Sequence, residues 1–329
     1  MFLVILIVVC ALAFDFINGF HDTANAIATV VSTRVLSPRT AILMAAGLNF
    51  LGALCFTKVA ETIAKGLVTG ATPHVILAAI LGAIVWNLVT WYFGIPSSSS
   101  HALVGGLLGA AWVHGGQQTI LWKGVLDKVV VPLLVSPLAG FVIGFGIMAL
   151  IVFLFANAPA SKTGRVFRRM QIVSSAIMSF AHGSNDAQKS MGIITLALAT
   201  ISAHPAAKAP VPLWVKLACA VAMAAGTSMG GWRIIKTMGH KIIRLEPVSG
   251  FAAETTASII ILYATLTGKT VSTTHVISGS IFGVGSAKRF SSVRWSVAQT
   301  MLIAWVLTIP ASASVAALCY LGVHLLGVR

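Results

Sequence analysis

The chain is short of charged residues and has almost no acidic ones. Of its 329 residues, 9% are charged, and only 7 are Asp or Glu. A soluble domain carries about 25% charged residues, so this composition excludes one. The 57% hydrophobic fraction instead predicts an integral membrane protein. We expect it to be all-α, because a helix satisfies its own backbone hydrogen bonds in lipid.

Cysteine is scarce as well, and its placement excludes two kinds of site. The 4 cysteines are scattered within apolar segments. They show no paired spacing typical of a metal site or a disulfide framework. We therefore interpret them as packing residues and predict no cofactor beyond a bound Na⁺.

The charge that is present has one sign, with 22 Lys and Arg residues and a net charge of +15. In a soluble protein this excess would suggest a nucleic-acid partner. Here the cations lie in short breaks between apolar runs, as is typical of cytoplasmic loops in membrane proteins. The sequence therefore predicts a multi-pass protein of the cell membrane that contacts the lipid bilayer and binds no nucleic acid.

Ten apolar segments are long enough to enter a membrane, since a span needs about 20 residues. Three strongly basic breaks, at 162–169, 233–244 and 288–294, are separated by two segments each, so all three can be cytoplasmic. Counting outward from them predicts that both termini lie outside. The segments are residues 2–33, 41–57, 74–93, 97–113, 129–156, 172–199, 214–232, 248–267, 271–287 and 297–326.

Two elements of the first five segments recur in the last five. Residues 19–26 align with 183–190, where Gly and Asp coincide, and the serine run at 98–105 aligns with 272–279. An odd number of segments per half makes the halves enter the membrane in opposite senses. We predict a first inverted repeat at 1–156, a basic cytoplasmic linker at 157–171 and a second inverted repeat at 172–329. Inverted repeats are typical of secondary transporters, which bind substrate near the midplane.

Runs 2–33 and 172–199 are too long for one ordinary span, and polar residues interrupt each of them. The interruptions at 18–22 and 182–186 contain Gly19 and Gly183, and glycine permits unusual backbone torsions. The sequence therefore predicts a broken helix in each half, with freed backbone groups facing a ligand. Segments 97–113 and 271–287 either cross fully or fold back as re-entrant hairpins.

Serine and threonine clusters open segments 97–113 and 271–287, directly after Pro96 and Val271. Such residues are typical of helix N-termini, where hydroxyls and free amides can bind an anion. Two termini approaching from opposite sides predict a site for a small tetrahedral oxyanion. Its predicted ligands are Ser98, Ser99, Ser100, Ser272, Thr273 and Thr274.

Asp22 and Asp186 are intramembrane carboxylates, which usually mark ion or proton paths. Beside an anion they would repel it unless Na⁺ or protons neutralise them, and that coupling is what symport requires. Carboxylate oxygens suit a hard cation, and Glu254 is a third buried acid. Lys189 stands where the first half has Asn25, and we expect it to pair with Asp186.

At these residues the sequence resembles the inorganic phosphate transporter (PiT) family, whose signature has an Asn-Asp element and a Pro-Val-Ser-Thr-Thr-His-like element in each half. The second half matches through residues 183–186, including Asn185 and Asp186, and through 271–275. The first half departs from the signature slightly, with His21 before Asp22. The resemblance covers nearly the whole chain.

The resemblance implies phosphate uptake with Na⁺ or H⁺, acids at Asp22, Asp186 and Glu254, and a homodimer. Members that use sodium tend to carry Glu where this chain has Asn49. One cation ligand is therefore missing, which favours proton coupling or a metal-phosphate substrate.

Together these observations predict a symporter of inorganic phosphate. Asp22, Asn25 and Asp186 handle the coupling cation, and Na⁺ would bind at these three residues; Asn185, Lys189, Gly19 and Gly183 support the site. Sulfate is the nearest rival substrate, but it lacks the P–OH group with which phosphate can donate to a carboxylate.

An intramembrane hydrolase with a Ser and His pair is the rival of another class. Ser100 and Thr274 are sequence neighbours of their histidines rather than partners across a fold, and a hydrolase would not need the whole element twice. We therefore predict that the chain is not an enzyme.

Overall fold

The computed structural model describes residues 2–65, 67–201 and 210–325. Residues 202–209 and 326–329 of the predicted second repeat lie outside the described residues. Thirteen α-helices occur in the described ranges: α1 Phe2–Ser32, α2 Pro38–Cys55, α3 Lys58–Lys65, α4 Pro73–Phe93, α5 Ser99–Gly115, α6 Trp122–Val125, α7 Val131–Leu154, α8 Ala160–Ala199, α9 Leu213–Met229, α10 Trp232–Lys236, α11 Pro247–Thr267, α12 Thr273–Lys288 and α13 Trp295–Leu325.

Ten of these helices have 16 or more residues, and each matches one predicted apolar segment. Six continuous helical stretches are long and apolar enough to cross a membrane by length and composition, or seven if the bent pair of α9 with residues 232–241 counts as one span. At about 1.5 Å per residue, α5 and α12 are about 25 Å long, shorter than a bilayer core of about 30 Å. The fold is thus that of an all-α integral membrane protein, and the re-entrant hairpins stay a prediction.

Helices α4 and α11 begin and end with the same local signals. Pro73 and Pro247 lie in their first turns, where the missing N–H of proline costs nothing. Gly94 and Gly268 end them in the left-handed conformation, with φ of 64° and 70°. Only glycine adopts that region without strain. Each helix therefore stops at the same point before a serine or threonine cluster.

The predicted helix breaks are wrong. Residues 18–22 lie within the continuous helix α1, and residues 182–186 lie within the continuous 40-residue helix α8. The backbone groups of these two stretches are therefore used within the helices, so only their side chains are available to a ligand. The break that the structure does show is a 59° bend between α9 and the helical segment 232–241.

Close helix packing explains why glycines stand at the two predicted breaks. A Cβ atom on Gly19 would lie 2.4 Å from the backbone oxygen of Met223 in α9. A Cβ atom on Gly183 would lie 2.3 Å from the backbone oxygen of Asn49 in α2. Each glycine therefore lets two helices approach closely, as small residues do in membrane proteins.

The two halves of the chain pack into one another. Helix α1 packs against α9 and α8 packs against α2, so each acid-bearing helix contacts a helix of the other half. In the same way α5 packs against α13 and α12 against α7. The predicted linker at 157–171 is largely helical, because α8 begins at Ala160. Residues 1–156 and 172–329 thus exchange contacts reciprocally, and their relation as inverted repeats stays a prediction.

Candidate functional site

Two buried acids lie close together at the contact between α1 and α8. The side chains of Asp22 and Asp186 are 3% and 0% exposed. One carboxylate oxygen of each and one ring nitrogen of His182 all lie within 4.8 Å of one another. The structure thus brings together the two acids that the sequence pairs by alignment.

Each acid accepts a hydrogen bond from a hydroxyl at the start of a helix in its own half. Ser99 in the first turn of α5 donates to Oδ2 of Asp22 at 2.9 Å. Thr273 in the first turn of α12 donates to Oδ2 of Asp186 at 3.1 Å. The two helix N-termini therefore lie beside the acid pair.

The side chains three residues after each acid reach into the other half. The amide of Asn25 donates to Thr273 at 3.2 Å and to Thr274 at 3.0 Å. The Lys189 ammonium donates to Ser100 and to Oδ1 of Asp186, the latter at 2.6 Å. We call the eight residues that these bonds join the central cluster: Asp22, Asn25, Ser99, Ser100, Asp186, Lys189, Thr273 and Thr274.

Ser98 and Ser272 are helix caps at the edge of the central cluster. Their hydroxyl oxygens accept hydrogen bonds from the backbone N–H of His101 and His275, each at 3.2 Å. Capping satisfies one of the first backbone N–H groups of each helix and holds the others in place. These two predicted anion ligands therefore organise the N-termini.

Sequence reasoning missed the roles of two histidines. Nδ1 of His21 lies 2.6 Å from Oδ1 of Asp22, and its Nε2 lies 3.0 Å from the Thr90 hydroxyl. Nε2 of His182 lies 3.5 Å from Asp186. The position of His182 four residues before Asp186, on the same helix face, is the signal that could have identified it.

The asparagines near the site hold helices together. Asn185 donates to Thr265 of α11 at 3.0 Å, so its side chain joins α8 to α11. Asn49 donates to Thr227 of α9 at 2.9 Å, and its oxygen lies 3.2 Å from Nδ1 of His182. Asn49 thus faces the histidine beside the acids.

Glu254 forms a separate polar contact. It accepts hydrogen bonds from Thr29, Ser174 and Gln171, the last at 3.3 Å. Within the described ranges, none of its hydrogen bonds goes to the central cluster. Thr29 is one helical turn beyond Asn25 on α1, so Glu254 of α11 contacts α1 one turn away from the cluster residue Asn25.

One pentapeptide, residues 226–230, has the letters Gly-x-Ser-x-Gly of a hydrolase nucleophile elbow. Ser228 is exposed and donates to the backbone oxygen of Ala225 at 2.6 Å. It ends a helix, whereas an elbow joins a strand to a helix. The pentapeptide therefore matches the sequence motif but lacks the structure of a nucleophile elbow.

A helical membrane fold that brings two buried acids beside two helix N-termini is typical of a secondary transporter. A model of the phosphate transporter family matches residues 18–316. The chain belongs to this family, as the sequence motifs indicate.

Two curated relatives carry the name "Probable low-affinity inorganic phosphate transporter". The one from Bacillus subtilis (strain 168) is 53% identical over 322 residues, which are 97% of this chain and 96% of the relative. The one from Rhizobium meliloti (strain 1021) is 48% identical over 322 residues, with the same coverage. A solved structure described as "The sodium-dependent phosphate transporter" is similar with a TM-score of 0.88 and 26% identity, and covers 99% of this chain and 100% of that one.

Proposed function

We propose that the chain imports inorganic phosphate by symport with H⁺ or Na⁺, and that phosphate binds between the N-termini of α5 and α12. The observation that carries this proposal is the convergence of Ser99 and Thr273 on the acid pair Asp22 and Asp186. This convergence brings hydrogen-bond donors, which can bind an anion, and carboxylates, which can bind a cation, into one buried site.

The anion ligands would be backbone and hydroxyl groups. The first turn of an α-helix has N–H groups without an acceptor inside the helix, and its dipole favours negative charge. In α5 and α12 these groups lie beside the hydroxyls of Ser99, Ser100, Thr273 and Thr274. Because phosphate keeps a P–OH group that can donate to Asp22 or Asp186, the acids favour it over sulfate.

The coupling cation would bind beside Asp22. Oδ1 of Asn25 is buried and has no hydrogen-bond partner, and Asn25 lies one turn from Asp22 on α1. Carboxylate and amide oxygens are ligands that Na⁺ accepts, and a protonated carboxyl could donate to the same oxygen. This arrangement supports the predicted ligands Asp22 and Asn25 for either ion.

A metal-phosphate complex is the second candidate substrate, and His182 favours it. The ligand atoms of Asp22, His182 and Asp186 are close enough to hold one metal ion. A ring nitrogen is a ligand that transition metals prefer and that Na⁺ does not require. Phosphate uptake that increases with added Mn²⁺ or Zn²⁺, and loses that increase in His182→Gln, would support this substrate.

The reciprocal contacts support two inverted repeats, 1–156 and 172–329, that alternate access to the site between them. The basic breaks support cytoplasmic loops and both termini outside. A homodimer is part of the same proposal, on the strength of the family resemblance. Cysteines introduced at Ser37 and Lys162 test the orientation, through their accessibility to labelling in intact cells. Cross-linking in the membrane tests the dimer.

Proteoliposomes test the function directly. We expect labelled phosphate to accumulate when a proton or sodium gradient is imposed, and the two gradients are applied separately to identify the ion. Unlabelled sulfate should compete weakly, whereas unlabelled phosphate should abolish accumulation of the label. No uptake above protein-free liposomes under either gradient would refute symport, and stronger competition by sulfate would refute phosphate as the substrate.

A further inference from the structure

Asn25 and Lys189 are equivalent residues that differ in charge. Each lies three residues after the acid of its helix, and each donates to the serine or threonine cluster of the other half. The halves also differ in their histidines, because His21 contacts Asp22 and His182 contacts Asp186, but the aligned pair Asn25 and Lys189 differs in charge. One side chain is a neutral amide and the other is a cation.

The Lys189 ammonium is held as a free cation would be. Its Nζ donates to Oδ1 of Asp186 at 2.6 Å and to the hydroxyl of Ser100, and the residue is 1% exposed. A hard cation at this place would take the same two oxygens as ligands. A lysine is almost never fully buried unless it is paired, so this charge is fixed in place by the acid.

The first half has no ammonium at the corresponding place, where Oδ1 of Asp22 lies 2.6 Å from Nδ1 of His21. The amide nitrogen of Asn25 donates to Thr273 and Thr274. Its Oδ1 is buried without a hydrogen-bond partner, one helical turn after Asp22. Buried polar atoms normally have a partner. The unpartnered Oδ1 of Asn25 therefore points to a bound ligand in the first half. At the equivalent place the second half has the ammonium of Lys189.

We propose that Lys189 is a tethered substitute for one coupling cation, so that the chain needs one free cation fewer per phosphate than a site with Asn at both positions. The inference rests on the proposed phosphate symport and specifies its ion requirement. The cation at Asp22 and Asn25 is the one that is transported. The charge beside Asp186 stays with the protein throughout the cycle.

Replacing the ammonium by an amide tests this inference. Lys189→Asn gives Asp186 an amide partner three residues later, as Asp22 has in Asn25. Lys189→Gln supplies the same amide on a longer side chain. In both variants we expect phosphate binding by the detergent-solubilised protein to gain one Na⁺ per phosphate. The apparent affinity should rise about tenfold between choline and Na⁺ buffers, beyond any response of the unchanged protein.

Two further variants separate charge from packing. Lys189→Arg keeps the charge and should show the same Na⁺ response as the unchanged protein. Lys189→Met removes the charge without supplying an oxygen ligand. Its rise in apparent phosphate affinity between choline and Na⁺ buffers should be smaller than that of Lys189→Gln. Binding is measured by isothermal titration calorimetry on protein that elutes as a single species.

The outcomes keep the inference separate from the proposed function. If the unchanged protein neither binds nor transports phosphate, the proposed function fails. If it transports phosphate, but folded Lys189→Asn and Lys189→Gln bind phosphate with the same Na⁺ response as the unchanged protein, the tethered-cation inference fails.

Discussion

Ser99 donates a hydrogen bond to Oδ2 of Asp22 at 2.9 Å, and this bond joins the first turn of α5 to the acid of α1. The groups proposed to bind the anion and the cation are therefore in direct contact. A change in the charge of Asp22 therefore acts directly on the Ser99 hydroxyl, which would also donate to phosphate. The bond between Thr273 and Asp186 repeats this relationship in the second half.

We expect Asp22→Asn and Asp186→Asn each to abolish phosphate uptake while the protein still reaches the membrane. The amide keeps the shape of the carboxylate but removes the charge that holds a cation. Uptake of labelled phosphate by proteoliposomes is the measurement, and immunoblots of membranes give the amount of protein. Asp127→Asn, at an exposed acid, is the control and should transport normally. Normal uptake by both site variants would refute the assignment of the acids.

Ser99→Ala and Thr273→Val should raise the KM for phosphate by about tenfold each, because a hydrogen bond to a charged group contributes about 1.5–3 kcal/mol. Thr273→Ser keeps the hydroxyl and should restore most of the affinity. Ser228→Ala removes an exposed hydroxyl and serves as the matched control. A KM that is unchanged in both site variants would exclude these hydroxyls from the phosphate site.

Gly19→Ala and Gly183→Ala should lower the thermal stability of the protein. The added methyl group would overlap a backbone oxygen of α9 or α2, and overpacking of this kind costs about 1–3 kcal/mol. Gly47→Ala and Gly146→Ala are matched controls, because a Cβ atom there meets nothing within 4 Å. Thermal unfolding in detergent should show a lower Tm for the first pair only. Equal Tm values for all four would argue against glycine-mediated helix packing.

Glu254→Gln should reduce phosphate uptake while phosphate binding stays within about twofold of that of the unchanged protein, a difference of less than about 0.5 kcal/mol. Glu254 contacts Thr29, Ser174 and Gln171 rather than the predicted anion ligands, so its charge would serve the cation path. Glu246→Gln, at an exposed acid paired with Lys288, is the control. A parallel loss of binding would place Glu254 at the phosphate site instead.

The sequence identifies the central cluster well because charged side chains inside a membrane are rare and costly. Asp22, Asp186 and Lys189 stand out in apolar runs, and alignment of the two halves is enough to pair Lys189 with Asn25. The predicted pairing of Lys189 with Asp186 is confirmed at 2.6 Å. Composition therefore suffices for the fold class, and alignment of the two halves identifies the residues that the structure brings together in the central cluster.

The helix breaks could not be predicted correctly, because a glycine in a helical run has two readings. Gly19 and Gly183 could permit an unusual torsion or a close helix contact, and only the position of the neighbouring backbone decides between them. The histidines are a different case, because His21 is next to Asp22 and His182 is four residues before Asp186, so the sequence alone offers both pairings. The contact of His21 with Thr90 joins two distant helices, and periodicity along one helix does not specify it.

The continuous helix α8 links two distant parts of the chain. Its 40 residues extend about 60 Å at about 1.5 Å per residue, from the basic residues near Arg165 to a point beyond Lys189. Because α8 is one continuous helix, its basic end and Asp186 belong to the same element, which packs against both α1 and α2 of the first half.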